Sequence, residues 1–199
     1  MTFEILLGLI VFSLVSSNTP GPNNLMLMAS WANFGFRRSI PHMLGVALGF
    51  TFMVLLVGRG LVKVFEAYPV SYVLLKVVSL VYLLYLAWKI ASAVPAGGGE
   101  AESGAPLTFI QAALFQWVNP KAWTMALTAV SIYSPSQSLV AVAFVAAVFG
   151  AVNLPCISFW TSMGLLMQRV LTSPLRLRAF NVLMAALLIG SLYPVLGAQ

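Results

Sequence analysis

Apolar residues run along this chain in blocks too long for the core of a globular domain. Stretches such as "MLGVALGFTFMVLLVG" (43–58) and "LVAVAFVAAVFGAV" (139–152) carry no charge and no alternation of polar with apolar positions. Uninterrupted blocks of this kind are the signature of helices crossing a bilayer, whereas the strands of a membrane barrel would alternate at period two. The blocks predict helices over 4–33, 40–62, 70–91, 107–133, 136–166 and 179–196. At about 20 residues per crossing this is an all-α integral membrane protein with six transmembrane helices.

Two of the six are abnormal. The spans 4–33 and 107–133 would be about 45 Å and about 40 Å long as straight helices, against a hydrocarbon core of roughly 30 Å. Each is broken near its middle by an asparagine and proline cluster, "NTPGPNN" (18–24) in the first and "QWVNPKAW" (116–123) in the second. The sequence "ASAVPAGGGEAESGAP" (91–106) is low in complexity and reads as a flexible connection. A broken helix followed by two ordinary ones thus occurs twice, in halves of approximately 1–92 and 107–199 joined by the loop 93–106, within a single transmembrane domain. Because three crossings per half is odd, the second half must enter the membrane inverted, so the expected architecture is two inverted three-helix repeats with helices 1 and 4 broken. In such proteins discontinuous helices meet near the midplane to build a substrate site. The competing reading is that proline simply kinks two long helices.

Composition sharpens this picture. Of 199 residues, 61% are hydrophobic and 7% charged, with Lys and Arg outnumbering Glu ten to four and no Asp. The basic excess belongs to loops facing the cytoplasm and not to nucleic-acid binding. Arg37, Arg38, Lys89, Arg169, Arg176 and Arg178 fall on one side, and Arg59 and Lys63 on the other. That places the loops after helices 1, 3 and 5 in the cytoplasm and both termini outside. The first fifteen residues lack a basic leader region and read as a retained helix. The single cysteine, Cys156, rules out an internal disulfide or dithiol relay and reads as a small buried residue.

The breaks hold the candidate chemistry. Pro20 and Pro22 have no amide hydrogen, and Gly21 can adopt conformations closed to other residues, so the backbone must open and leave carbonyls unpaired. After it, Pro22 suits the first turn of a new half-helix, whose amides at Asn23, Asn24 and Leu25 would be free to face an anion such as an amino-acid carboxylate. Asn119 followed by Pro120 is a restart signal of the same kind, N-cap then first-turn proline. Lys121 opposes the helix dipole at that position, a conflict that a substrate carboxylate would relieve; the alternative is a lysine snorkelling to headgroups. Carbonyls near Asn18 and Thr19 are the candidates for the substrate ammonium. Lys76, inside helix 3, is a further candidate with a structural alternative. Lys89 reads as an interfacial anchor; His42, next to Pro41 at the start of helix 2, reads as interfacial, with a proton relay as the lesser option; and Asn153 with Pro155 reads as a kink in preference to a ligand. Trp31, Trp117, Trp123 and Trp160 read as belt or packing residues.

In their order along the chain, "NTPGPNNLMLMASWANFGFRRSIPHMLGVALGF", "LLKVVSLVYLLYLAWKI", "FQWVNPKAWTMAL" and "SPLRLRAFNVLMAALL" resemble the blocks of the LysE/RhtB superfamily of amino-acid exporters over nearly the whole chain. Ser79 stands where a glycine is common in the third helix. The resemblance implies six transmembrane helices in the bacterial inner membrane and secondary export of amino acids or close derivatives coupled to the proton gradient. By matching position it points to Pro20, Gly21, Pro22, Asn119, Pro120 and Lys121, with Asn18, Asn23, Asn24 and Lys76 as neighbours.

Other classes find less support. No phosphate-binding loop is visible, so ATP-driven transport is excluded, and no set of nucleophile, base and oxyanion donors suggests an enzyme. No cofactor is expected. A small channel or metal exporter of similar architecture is the alternative, although apart from Glu4 at the start of the first helix hard carboxylate ligands are missing from the helices. A helical scaffold within a larger assembly is a third reading. The expected partners are an amino-acid substrate and membrane lipid, and the small residues of "GVALG" (45–49) suit packing either within one subunit or between the two copies of a homodimer.

Overall fold

The computed structural model describes residues 2–61, 63, 67–93, 105–134, 136 and 138–190. These form eight helices with no strand among the described residues. Helix α1 (Phe3–Asn18) and α2 (Pro22–Phe34) are the two parts of the first broken span, bent by 53°. Helix α3 (Phe36–Leu56) continues into a wide π-type turn, Val57–Leu61, and α4 is Pro69–Ala91. The second broken span is α5 (Phe109–Val118) with α6 (Pro120–Tyr133), followed by α7 (Leu139–Val170) and α8 (Pro174–Gly190).

Local sequence explains the boundaries. Thr108 and Gln111 form a reciprocal capping box at the start of α5, the Gln111 amide donating to Thr108 Oγ1 at 3.2 Å and the Thr108 amide to Gln111 Oε1 at 3.1 Å. Between α2 and α3 the chain turns on the single residue Gly35, whose φ of +80° is open to glycine but strained for other residues. This one-residue turn starts α3 at Phe36, earlier than the sequence pattern places it. Helix α8 likewise begins earlier than expected, on Pro174, and the predicted helical residues beyond 190 lie outside the described residues, as do 94–104 of the expected flexible connection.

Helix α7 is the axis of the fold, packing against α1, α2 and α3, while α3 also receives α5, and α4 pairs with α8. Close approach makes the α3–α5 contact. A Cβ at Gly45 would collide with the Phe109 carbonyl, and one at Gly49 would lie 2.6 Å from Ala113 Cα. The "GVALG" glycines are therefore used within the chain, between α3 and α5. Outward, α4 presents Val73, Leu74, Val77, Val81, Leu84 and Trp88, an apolar face suited to lipid and not to water.

Among the described residues three helices are long and apolar enough to cross a membrane, Phe36–Leu61, Val73–Ala91 and Leu139–Val170, and the bent pair α1 and α2 makes a fourth candidate. Hydroxyls inside them fold back on their own helix: Thr51 donates to the Ala47 carbonyl at 2.9 Å, and Ser79 to that of Leu75 at 2.6 Å. Ser79 thereby satisfies its polar group within its own helix.

Candidate functional site

The first break spans Thr19 to Gly21, and the backbone accounting there is nearly closed. Pro20 and Pro22 cannot donate to the turn before them, so carbonyls at the end of α1 must find other partners. Asn24 Nδ2 donates to the Ser17 carbonyl at 2.9 Å and to the Thr19 carbonyl at 3.0 Å. Trp160 Nε1, reaching across from α7, donates to the Asn18 carbonyl at 3.2 Å. Lys121 Nζ, from the second break, donates a short hydrogen bond to the Thr19 carbonyl.

The two interruptions therefore meet in space. Asn119 caps α6 by accepting from the Lys121 amide at 3.1 Å, and Pro120 follows in the first turn, as the sequence predicts. Asn23 and Gln116 join the breaks through a reciprocal amide pair of 2.8 and 3.1 Å. Gln116, wholly buried, also donates to the Ala112 carbonyl at 2.9 Å, so its amide is saturated. Asn18 Nδ2 donates to Cys156 Sγ at 3.1 Å, fixing α1 to α7.

Three expectations are revised at this point. Gly21 has φ −173° and ψ 176°, an extended backbone open to any residue. Its lack of a side chain is required by space, since a Cβ would lie 2.7 Å from Lys121 Cδ. The Leu25 amide is not free but donates to the Gly21 carbonyl at 3.0 Å. The carbonyls of Asn18 and Thr19 are not open either, because Trp160, Asn24 and Lys121 already bond to them.

Two cavities flank this crossing. An outer groove of about 570 Å³ runs along α1 and α6 and is lined by Phe12, Ser16, Thr19, the three residues Pro20 to Pro22, Pro120, Lys121 and Thr128 among others. An inner pocket of about 20 Å³, room for about one water, is bounded by Ser17, Asn24, Phe50, Asn119, Asn153 and Ile157. Gly21 and Lys121 border both. The Ser17 hydroxyl is buried with no hydrogen-bond partner, and Asn153, only 5% exposed, lines the same pocket. Helix α7 runs through Pro155 without a break, and Asn153 therefore lines the pocket from a continuous helix.

Of the predicted residues, Asn18 to Asn24 and Asn119 to Lys121 are gathered at one place. Lys76 is not: it lies half-buried on α4 and lines neither cavity at the crossing. Gln116 and Trp160 stand outside the set of site residues that the sequence predicts. A glutamine inside an otherwise apolar run was the available signal for Gln116, whereas no local signal separated Trp160 from a belt residue.

Against protein families, the model described as LysE type translocator matches residues 14–191. The chain belongs to the LysE type translocator family. Among curated proteins it is similar to the cysteine/O-acetylserine efflux protein of Klebsiella pneumoniae, 30% identical over 194 residues that cover 95% of each chain. The efflux proteins of the same name from Escherichia coli strain E24377A, at 30%, and Shigella sonnei, at 29%, cover 95% of this chain and 96% of their own. No solved structure matches. Family and relatives bear out the amino-acid exporter expected from the sequence, a multi-pass membrane protein and not an enzyme.

One consequence of the translocator's geometry concerns Gly21. In Gly21→Ala the new methyl meets the flexible stem of Lys121 and not backbone, so the fold should survive while the ammonium is pushed off the Thr19 carbonyl. Overpacking of this size costs on the order of 1–3 kcal/mol. Efflux from cells should fall roughly tenfold at unchanged protein abundance, measured by immunoblot of membranes beside the transport assay.

Proposed function

We propose that this translocator exports small zwitterionic amino acids, cysteine and O-acetylserine among them, across the bacterial cytoplasmic membrane by secondary transport, and that the helix crossing is the binding site. The observation that carries the reading is the hydrogen bond from Lys121 Nζ to the Thr19 carbonyl. An alkylammonium already occupies the acceptor that a substrate ammonium would seek. An incoming zwitterion can exchange with it: the substrate carboxylate pairs with Lys121, and the substrate ammonium takes the carbonyl that Lys121 leaves. Neither ion then lies unpaired in a low-dielectric setting, where isolated charge is most costly. The outer groove, at about 570 Å³, falls in the usual range for small-ligand sites of about 300–1,000 Å³. Movement of Lys121 would open this groove toward the inner pocket, where Ser17 and Asn153 offer polar groups.

In this reading the six spans are α1 with α2, α3, α4, α5 with α6, α7 and α8, arranged as two inverted halves. Exchange packing supports it: α1 of the first half lies on α7 of the second, and α5 of the second half lies on α3 of the first. Rocking one half against the other, driven by the proton gradient, would expose the crossing alternately to each side.

Purified protein in liposomes loaded with radiolabelled cysteine tests the proposal. Efflux should be competed by alanine and homoserine, which carry both charges, but not by cysteamine, which lacks the carboxylate, or by N-acetylcysteine, which lacks the ammonium. Equal competition by cysteamine would remove Lys121 from carboxylate recognition. Flux of metal ions with no amino-acid flux would favour the channel or metal-exporter reading instead.

A further inference from the structure

The fold contains a further cavity, lined largely by apolar side chains, that shares no lining residue with the two cavities at the helix crossing. It measures about 50 Å³ and lies where the end of α2, the second turn of α3, the last turns of α4 and residues 105–107 converge. His42 lines it. The sequence suggested an interfacial histidine, but with α3 starting at Phe36 the ring sits inside the bundle, 1% exposed, and neither ring nitrogen has a hydrogen-bond partner. A neutral imidazole carries one donor and one acceptor, and leaving both unmet in a buried place forfeits the hydration each would have in water. Buried polar groups without a partner are rare in native proteins, and one that borders a cavity is open to a partner from outside the chain.

The remaining polar groups there are already committed. Asn33 and Asn181 form a reciprocal amide pair at 2.8 and 2.9 Å, and Ser30 bonds Ser39 at 2.9 Å. Lys89, placed by its sequence as an interfacial anchor, is half-buried and lines the same cavity. Among the described residues it makes no side-chain hydrogen bond, and none of those lining the cavity is acidic. These residues thus offer one buried imidazole N–H and one ammonium, and no anion among themselves to receive them.

We propose that this cavity is a second binding site, taking the carboxylate of a small organic acid or amino acid between His42 and Lys89. It rests on the proposed function insofar as the natural ligand would be the transported amino acid, held at the end of the bundle that carries Arg37 and Arg38 before it reaches the helix crossing. The volume, several times the 10–15 Å³ needed for one water, admits a carboxylate head while the rest of the ligand stays toward the mouth. Each oxygen of the carboxylate accepts from one of the two donors, so binding satisfies the imidazole N–H and neutralises the lysine together.

The chain has one histidine, so its imidazole can be observed alone. Full-length protein labelled with 15N-histidine in nanodiscs of zwitterionic lipid is titrated with sodium acetate, glycine, methylammonium chloride and sodium chloride. Acetate and glycine should shift the ring resonances saturably, and the two chloride salts should not. Lys89→Gln should weaken the apparent affinity at least tenfold, and Lys121→Ala should leave the titration unchanged. Absence of a shift, an equal response to chloride, or loss of the response in Lys121→Ala would each overturn the proposal. Because the readout is a resonance and not transport, a failure of cysteine export would leave this result standing, and the reverse also holds.

Discussion

Lys121→Ala is expected to lower amino-acid efflux by about 30-fold or more while the protein stays folded in the membrane. Lys121 is half-buried and its contact with Thr19 opens on the outer groove, so the loss is set by the carboxylate it pairs once substrate occludes the crossing. Truncating one partner of such an enclosed charge pair costs about 2–5 kcal/mol, and every 1.4 kcal/mol is a factor of ten. The fold survives because the Thr19 carbonyl keeps its bond from Asn24 Nδ2 at 3.0 Å, and Asn119 still caps α6 through a backbone amide that any residue supplies. Lys121→Gln should be nearly as inactive, since an amide can reach a carbonyl but cannot neutralise a carboxylate. Lys121→Arg keeps the charge but must seat a planar, five-donor group against Gly21, where the lysine stem already leaves no room for a Cβ, so partial activity is expected. Cells expressing each variant, challenged with toxic concentrations of cysteine, give the ordering: wild type, then Arg, then Gln and Ala together. Full tolerance in Lys121→Ala would remove the lysine from the transport cycle.

How much of this site was legible in the sequence depends on the range of each interaction. The breaks were legible because proline removes an amide wherever it stands, and Asn119 before Pro120 is a local capping signal. Their meeting in space was inferable from the duplicated pattern, but the partners of the opened carbonyls were not. Asn24 is seven residues from Ser17, while Trp160 and Lys121 arrive from elsewhere in the chain. For that reason the carbonyls left open on paper for a substrate are occupied in the structure. His42 was misplaced by a related cause. Its neighbour Pro41 suggests a helix start, but α3 runs through it as an interior proline, at the loss of the amide that would bond the Arg37 carbonyl, and the single-residue turn at Gly35 starts the helix at Phe36. Lys76 shows the limit of the rule that an ionisable residue inside a membrane helix is functional. It stands on the same face of α4 as the buried Ser79 and Leu83, yet it lines neither cavity at the crossing.

The largest structural effect is expected from Gly49→Val, because the contact it breaks is made by backbone and cannot yield as a side chain does. A Cβ at this position already lies 2.6 Å from Ala113 Cα and 2.9 Å from its Cβ, and valine adds two further methyls. Helices α3 and α5 must then separate, and α5 carries Gln116, whose amide pair with Asn23 ties the two breaks together. Lipid supplies no hydrophobic drive to bring the helices back, since packing itself is what holds them. A loss of about 3 kcal/mol lies at the upper end of overpacking costs. It corresponds to roughly 6–12 °C in melting temperature for a chain of this size. Fluorescence-detected size exclusion after heating measures it. Leu48→Val, one position away on the same helix but 56% exposed, should melt within about 2 °C of wild type. If both variants melted alike, the α3–α5 approach would not be what sets the spacing of the two breaks, and the exchange of contacts between halves would lose its physical basis.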